Sequence, residues 1–312
     1  MTDFPGPGVY PNHQVPDDMY FRIPAASKSA LWRIHLMPPT VRTIDQARAW
    51  IVGPKPTYAM ILGRAFDDAM QYGDAWREKW LAGPTNPTTG KGYGGETQKF
   101  AKAVADAGTE NMIVPEDVDR IDKMRQAVYD HPDARSLLKF PDAIFQVVVI
   151  WDDERTGARC KGKIDLWSVR QGVSVHVDFK TWTKRRAHVP SELAFGWECE
   201  DRGYFLQAAH YLDGPATLDR LKGIEPHHRE FVIIPIEKDP YVIESTGEEL
   251  YGVDVFDCEP AQLDGALRVR DELLTTWCAI QDGSWKPKPL GTKKLRMSNH
   301  MEDDYANRPE TT

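Results

Sequence analysis

The chain has 312 residues, of which 41% are hydrophobic and 28% are charged, and its formal net charge at pH 7 is -8. This length allows one large domain or two small ones, and the acidic charge disfavours a protein that coats nucleic acid nonspecifically. It is compatible with an acidic metal site beside a locally basic channel. Because no apolar run approaches the ~20 residues of a membrane span and the N-terminus lacks a signal-peptide pattern, we expect a cytoplasmic protein with no membrane partner.

The N-terminal half is predicted to be helical, after an irregular segment at 1–22 that is rich in proline and glycine. Ser27 is a suitable N-cap for the first short helix. Apolar residues then recur with helical spacing at 43–52 and 57–81. The glycine- and proline-rich residues 83–95 should form an exposed, mobile loop before a further helical pair.

From residue 143 onward the hydrophobic period becomes that of strands. The predicted elements are a strand at 143–153, an antiparallel hairpin that turns at 170–172, a helix at 203–215, a strand at 229–238 and a helix from residue 260. This order predicts a mixed α/β fold with a helical N-terminal half. We expect a single domain over residues 23–290 and a flexible tail of basic and acidic residues at 291–312.

The predicted hairpin brings two carboxylates and one ammonium group together. In its second strand, apolar residues at 173–179 alternate with polar ones, so Asp178 and Lys180 share the polar face. Asp165 lies on the preceding strand, flanked by two apolar residues. Converging carboxylates repel each other unless a hard cation such as Mg²⁺, or Mn²⁺ in its place, neutralises them. A lysine beside such a metal suits phosphodiester hydrolysis; the alternative is a surface ion pair between Asp178 and Lys180.

The order of these residues, followed by a Gln-x-x-x-Tyr helix, resembles the PD-(D/E)XK nuclease superfamily and its RecB-like branch in particular. Within that branch, six stretches resemble motifs of the RecE-type (exodeoxyribonuclease VIII) phage recombination exonucleases. They are SKSALWRI at 27–34, LGRAFDDAM at 62–70, VPEDVDRIDKMRQAVYDHPDARSLL at 114–138, VVIWDDERTGARCKGKID at 148–165, HVDFKTW at 176–182 and YFLQAAHYLDG at 204–214. The resemblance covers roughly residues 20 to 290, and it implies a PD-(D/E)XK core with a mixed central sheet flanked by helices.

The resemblance also implies roles for the hairpin residues. Asp165 and Asp178 would be metal ligands, with the Phe179 backbone carbonyl as a third ligand, and Lys180 would be the catalytic lysine.

Helix and loop residues would complete the site. Gln207 and Tyr211 would brace it or contact DNA, or they could be an ordinary core-and-cap pair one helical turn apart. Ser27 or Ser29, at a helix N-terminus, could hold a 5′-phosphate, with simple capping as the alternative. The basic pair Lys184-Arg185 directly follows the hairpin and could contact DNA.

The chain departs from the family pattern at two positions. Asp67 stands where the family has histidine, four residues after Gly63, and we expect it to ligate the metal. Its neighbour Asp68 should then point to solvent or pair with a nearby base such as Arg64, one turn back. Gln146 stands where a glutamate usually begins the strand before Asp165, and an amide is a weaker metal ligand.

The resemblance implies a Mg²⁺-dependent exodeoxyribonuclease. It would degrade one strand of linear double-stranded DNA from its end, 5′ to 3′, and leave a 3′ single-stranded tail for annealing-type homologous recombination. The implied partners are double-stranded DNA ends, a RecT-type single-strand annealing protein and further copies of the chain in a ring, in a bacterial host cell if the protein is phage-encoded. The alternatives are a catalytically degenerate nuclease fold that binds DNA or protein, and an endonuclease on the same core.

Overall fold

The computed structural model describes residues 4–170, 172–184, 189–224 and 228–287. Its helices are α1 (Asp17–Arg22), α2 (Lys28–His35), α3 (Ile44–Val52), α4 (Tyr58–Tyr72), α5 (Gln98–Ala107), α6 (Pro115–Asp130), α7 (Pro132–Leu138), α8 (Ser191–Arg202), α9 (Tyr204–Leu221) and α10 (Pro260–Asp282), with a 3-10 helix at Gly73–Glu78. None of the helices described is both long and apolar enough to cross a bilayer. Arg185 and the tail predicted at 291–312 lie outside the described ranges.

The strands form one central sheet and two small ones. They are β1 (Gly8–Tyr10), β2 (Leu81–Ala82), β3 (Met112–Ile113), β4 (Ile144–Asp152), β5 (Arg159–Arg170), β6 (Val173–Trp182), β7 (His228–Glu237), β8 (Tyr241–Val242), β9 (Glu249–Leu250) and β10 (Phe256–Asp257). The central sheet has the order β1-β4-β5-β6-β7-β10, and only its β6-β7 pair is parallel. Parallel neighbours need a crossover, which α8 and α9 supply. The predicted mixed α/β fold and the hairpin are confirmed.

Helices cover both faces of the sheet at β6. Val175, Val177 and Phe179 are buried against α4 and α6, as the alternation in the sequence predicts. On the other face, Trp182 packs against α8 and α9 through a cluster that includes Phe195. A strand that is covered on both faces is held rigidly, so the polar residues on β6 have fixed positions.

α4 lies against the sheet because its apolar residues form one stripe. Those buried are Leu62, Ala65, Phe66, Ala69 and Met70, which recur at three- and four-residue intervals. Phe66 contacts Phe179 edge to face, with the ring centroids 6.2 Å apart. Asp67, the residue next to Phe66, is therefore placed near the end of β6.

The prediction that residues 1–22 are irregular is wrong for the part of this segment that the structure describes. β1 pairs with β4, with Gly8 opposite Ile150, and α1 follows. Val15 and Tyr20 are buried against β4. These apolar residues lie among prolines and glycines in elements that are too short to show a hydrophobic period. Their packing against the edge of the sheet could therefore not be predicted from the sequence.

Residues 83–95 contain no helix or strand, and their one regular feature is an isolated β-bridge between Thr85 and Gly92. The Gly92 N–H donates a hydrogen bond to Glu116 of α6 at 2.8 Å. The loop is exposed at most positions but fastened at this point, and its predicted mobility stays a prediction.

Candidate active site

The two strands of the hairpin separate where the predicted carboxylates lie. The antiparallel ladder of β5 and β6 ends at the pair immediately next to Asp165 and Asp178. Beyond it, the Phe179 N–H donates a hydrogen bond to Asp165 Oδ2 at 2.9 Å in place of a backbone partner. β6 stays paired with β7 through this region. The hairpin therefore opens while one of its strands remains rigid, and both carboxylates face the opening.

Asp178 is held by side chains from β6 and α9. It is 3% exposed, its Oδ1 accepts a hydrogen bond from Gln207 Nε2 at 2.5 Å, and its Oδ2 forms an ion pair with Lys180. The Lys180 ammonium also lies 5.0 Å from the centre of the Tyr204 ring. Tyr211, one helical turn after Gln207, lines the same cleft. The structure thus brings Gln207 and Tyr211 to the predicted site.

The carboxylates repel one another. Burial, and next the nearby Asp178, raise the pKa of Asp165 to about 7, although Lys180 acts in the opposite direction. Burial, and then Asp165 and Asp178, hold the pKa of Asp67 well above its usual range. Burial tends to lower the pKa of Lys180, but the two strand carboxylates outweigh it and raise that pKa above its ordinary value. Asp67 therefore belongs to the same electrostatic cluster as the hairpin residues.

Asp67 and Asp68 point in different directions, as neighbours on a helix must. Asp68 accepts a hydrogen bond from Trp80 Nε1 at 2.8 Å and pairs with Lys79 Nζ at 3.1 Å. Asp68 pairs with a nearby base, as expected, but that base is Lys79 and not Arg64, because the chain turns back after α4 and places Lys79 and Trp80 beside it.

Gln146 lies directly beside Asp165. Its Nε2 donates a hydrogen bond to Asp165 Oδ1 at 3.2 Å, and its backbone has a φ of 54°, which is uncommon outside glycine. The β4-β5 register skips the Gln146–Asp165 pair. Ile164 and Leu166, which flank Asp165, pack in different core clusters. The sheet is therefore distorted at this step, and strained backbone of this kind clusters at functional sites.

The predicted serines occupy different positions. The Ser27 hydroxyl accepts a hydrogen bond from the Ala30 N–H at 3.3 Å, which is the capping alternative. Ser29 is exposed and lines the cleft. Lys184 is half-buried and does not line it. The predicted contact of Arg185 lies outside the described residues.

These groups surround a cleft of about 600 Å³, which we call the carboxylate cleft. It contains four acidic residues and six basic ones, namely Lys28, Arg64, Lys163, Lys180, Arg202 and Lys238. An acidic chain thus presents a local excess of cations around buried carboxylates.

Sequence reasoning missed Lys28 and Tyr204. Lys28 Nζ donates to the Arg202 carbonyl at 2.7 Å and lies 5.1 Å from the Tyr204 ring centre. Burial, and next the charge of Lys180, lower the pKa of Lys28 to about 7. Tyr204 could have been found, because it precedes Gln207 by three residues and so shares its helix face. No local signal marks Lys28.

Residues 44–287 match the family described as a PDDEXK-like domain of unknown function (DUF3799). The chain belongs to this family. Among solved structures, the PDDEXK-like chain is similar to a candidate exonuclease from Eubacterium rectale, with 15% identity and a TM-score of 0.50 over 90% of this chain and 93% of that one. The structure of SSO0001 is 10% identical, with a TM-score of 0.25 over 69% of this chain and 84% of that one. No curated protein sequence matches the chain.

The predicted PD-(D/E)XK superfamily is confirmed, and nucleases of this superfamily generally use divalent metals. Among the residues described, no group of three His, Cys, Asp or Glu side chains is arranged as a ready metal site. Asp165 is hydrogen-bonded to Gln146 and Phe179, and Asp178 to Gln207, so these carboxylates bind protein donors. Their chemistry nevertheless fits a hard divalent cation, because buried carboxylates that repel one another are stabilised by one.

Proposed function

We propose that this PDDEXK-like protein is a Mg²⁺-dependent exodeoxyribonuclease of the RecE type. It digests linear double-stranded DNA from 5′ to 3′ and leaves a 3′ single-stranded tail for annealing-type recombination. One observation carries the proposal: Asp165, Asp178 and Lys180 converge at the open end of a hairpin, inside a cleft lined by six basic residues. Basic residues bind the phosphates of nucleic acid. Buried carboxylates can hold the metal ion that hydrolysis of a phosphodiester bond requires.

The residues that would hold the metal are Asp67, Asp165, Asp178 and the Phe179 carbonyl. When bound, the metal lowers the pKa of a water molecule and neutralises charge on the phosphate. The Gln207 amide orients Asp178 by donating to Oδ1. Gln146, which stands in the position of a usual acidic ligand, acts as a hydrogen-bond donor to Asp165.

Lys180 is the residue that acts on the phosphate. The carboxylates raise its pKa in the metal-free protein, so its side chain is an ammonium there at neutral pH. Its role is to donate hydrogen bonds to the attacking water or to the phosphate oxygens, where negative charge develops. Contact with the Tyr204 ring and with Asp178 limits the positions that its long side chain can adopt.

The 5′ end and the partners are further parts of the proposal. Ser29 and Lys28 lie in the carboxylate cleft at the start of α2 and offer a hydroxyl and an amino group, which a bound phosphate would keep protonated, to a 5′-phosphate. The substrate is a double-stranded DNA end, the product tail passes to a RecT-type annealing protein, and the chain assembles as a ring. Such a ring directs basic residues to its channel and acidic residues outward, which reconciles a net charge of -8 with a DNA substrate.

The test compares linear and closed-circular plasmid with Mg²⁺, for the wild type, Lys180→Ala and a matched control. Lys102→Ala is the control, because Lys102 is exposed on α5 and pairs with Asp106 of the same helix. The wild type and the control should consume linear DNA alone, and Lys180→Ala should be folded but inactive. Cutting of both plasmids would identify an endonuclease. Binding of DNA without cutting by the wild type would identify a degenerate fold.

A further inference from the structure

A second cleft adjoins the first. It has a volume of about 830 Å³ and shares three lining residues, Arg64, Asp67 and Lys163, with the carboxylate cleft. We call it the side cleft. Its other walls come from the segment before α1, from the end of α4 and from the start of β4. A ligand that crosses the row of shared residues can therefore occupy both clefts at once.

Arg64 has donors that no protein group uses. Its Nε and Nη2 are buried without a hydrogen-bond partner among the residues that the structure describes, and its ion pair with Glu110 is long, at 3.8 Å. The two lysines of the side cleft, in contrast, each contact a carboxylate: Lys163 pairs with Asp17 and Lys79 with Asp68. Leaving a buried charged donor unpaired is costly, so Arg64 is placed to bind an anion.

Two acceptors in the side cleft are also unused. Gln71 Oε1 and Asn12 Oδ1 are buried and have no hydrogen-bond partner within the described part of the chain. Tyr72, next to Gln71, is 37% exposed and lines the same cleft, and Lys79 Nζ lies 3.8 Å from the centre of its ring. The unused guanidinium donors of Arg64 and the two unused amide oxygens match the phosphate and the amino groups of a nucleotide.

We propose that the side cleft binds the nucleotide next to the scissile phosphate of a single strand. The strand crosses from the carboxylate cleft at Arg64, which binds its phosphate. Gln71 and Asn12 accept hydrogen bonds from the amino groups of the base, which lies beside Tyr72. The volume of about 830 Å³ lies within the range of small-ligand sites and suits one nucleotide. This inference rests on the proposed nuclease function, because it concerns the path of that enzyme's substrate.

The experiment measures binding of a fluorescently labelled single-stranded hexanucleotide by anisotropy, in EDTA so that metal-dependent cleavage cannot occur. Arg64→Gln should weaken binding about tenfold or more. It should also reduce the slope of log K against log salt by about 0.7, the loss of one phosphate contact on a single strand. Gln71→Leu should leave that slope unchanged and alter the preference among adenine, cytosine and thymine homopolymers, because thymine lacks an amino group. Arg135→Gln, an exposed arginine outside both clefts, is the matched control.

The hydrolysis assay on linear plasmid is run in parallel. If the wild type cleaves DNA but Arg64→Gln and Gln71→Leu bind the hexanucleotide as Arg135→Gln does, the side-cleft assignment is wrong and the nuclease proposal stands. If binding depends on Arg64 and Gln71 but no DNA is cleaved, the nuclease proposal is wrong and the side cleft remains a nucleotide site. Absence of binding by the wild type would overturn the inference. Melting temperatures identify a variant that fails to fold. If one of the two variants does so, the binding of the other tests the side-cleft assignment.

Discussion

Replacing Asp165 with asparagine should stabilise the protein at alkaline pH when no divalent cation is present. Burial and the repulsion of Asp178 raise the pKa of Asp165 from 3.8 to about 7. The folded protein therefore keeps a proton that the unfolded chain has lost. The stabilising contribution of protonated Asp165 is fully present below about pH 4 and is lost as the pH rises through about 7.

The magnitude follows from the size of this shift. Each pKa unit corresponds to about 1.4 kcal/mol. Relative to its value below about pH 4, the free energy of unfolding is therefore lowered by about 4 kcal/mol at pH 8, where Asp165 is ionised in both states. At pH 5, where mainly the unfolded chain has lost the proton, it is lowered by only about 1–2 kcal/mol. An asparagine keeps an acceptor for the Phe179 N–H and carries no charge. The stability gained from Asp165→Asn should therefore be larger at pH 8 than at pH 5 by about 3 kcal/mol.

Urea unfolding in EDTA at the two pH values measures this difference, with Asp106→Asn as an exposed carboxylate control on α5. Added Mg²⁺ should stabilise the wild type, because a ligand that binds only the folded state raises the free energy of unfolding, and it should stabilise Asp165→Asn much less. If Asp165→Asn is less stable than the wild type at pH 8, or if its effect is the same at both pH values, the carboxylates do not repel one another as argued.

Three other predictions concern neighbouring residues. Asp67→Ala should abolish the Mg²⁺-dependent rise in melting temperature and slow hydrolysis steeply. Asp68→Ala should instead cost about 1–3 kcal/mol of stability, because the buried indole N–H of Trp80 loses its acceptor. If Asp68→Ala, and not Asp67→Ala, removes the effect of Mg²⁺, the assignment of Asp67 to the metal site is wrong. Gln207→Leu should slow hydrolysis at least tenfold with little change in melting temperature, and an unchanged rate would exclude a positioning role. DNA ends with a 5′-phosphate should be digested faster than ends with a 5′-hydroxyl, and Lys28→Ala should remove that preference; equal rates in the wild type would exclude the proposed end-binding site.

The sequence contained enough information to place the hairpin residues, and the reason is geometric. A period of two fixes which side chains share a strand face, so Asp178 and Lys180 had to lie together once the strand was recognised. Helical spacing similarly placed Gln207 and Tyr211 on one face of α9. These predictions needed only local periodicity, which tertiary contacts did not override.

Other features depend on contacts between distant segments and could not be predicted. Lys28 reaches the site because α2 packs beside α9, and nothing in its neighbouring residues signals this contact. Asp68 binds Trp80 and Lys79 because the chain turns back after α4, and the spacing within α4 does not reveal these partners. The strained φ of Gln146 arises from a distortion between β4 and β5, whereas the strand pattern around it looks regular.

The geometry of the site also depends on α10, although no residue of α10 lines the carboxylate cleft. Arg270 of α10 is 2% exposed, donates to Asp153 and Asp213 at 3.0 and 2.6 Å, and lies with its Nε 3.4 Å from His210 Nδ1. Burial lowers the pKa of His210 to about 3, so the ring is neutral and accepts from Arg270 without repelling it. His210 follows Gln207 by three residues on α9. A buried network of this kind is rigid when every member is paired, so it fixes α9 from behind and thereby the amide that orients Asp178.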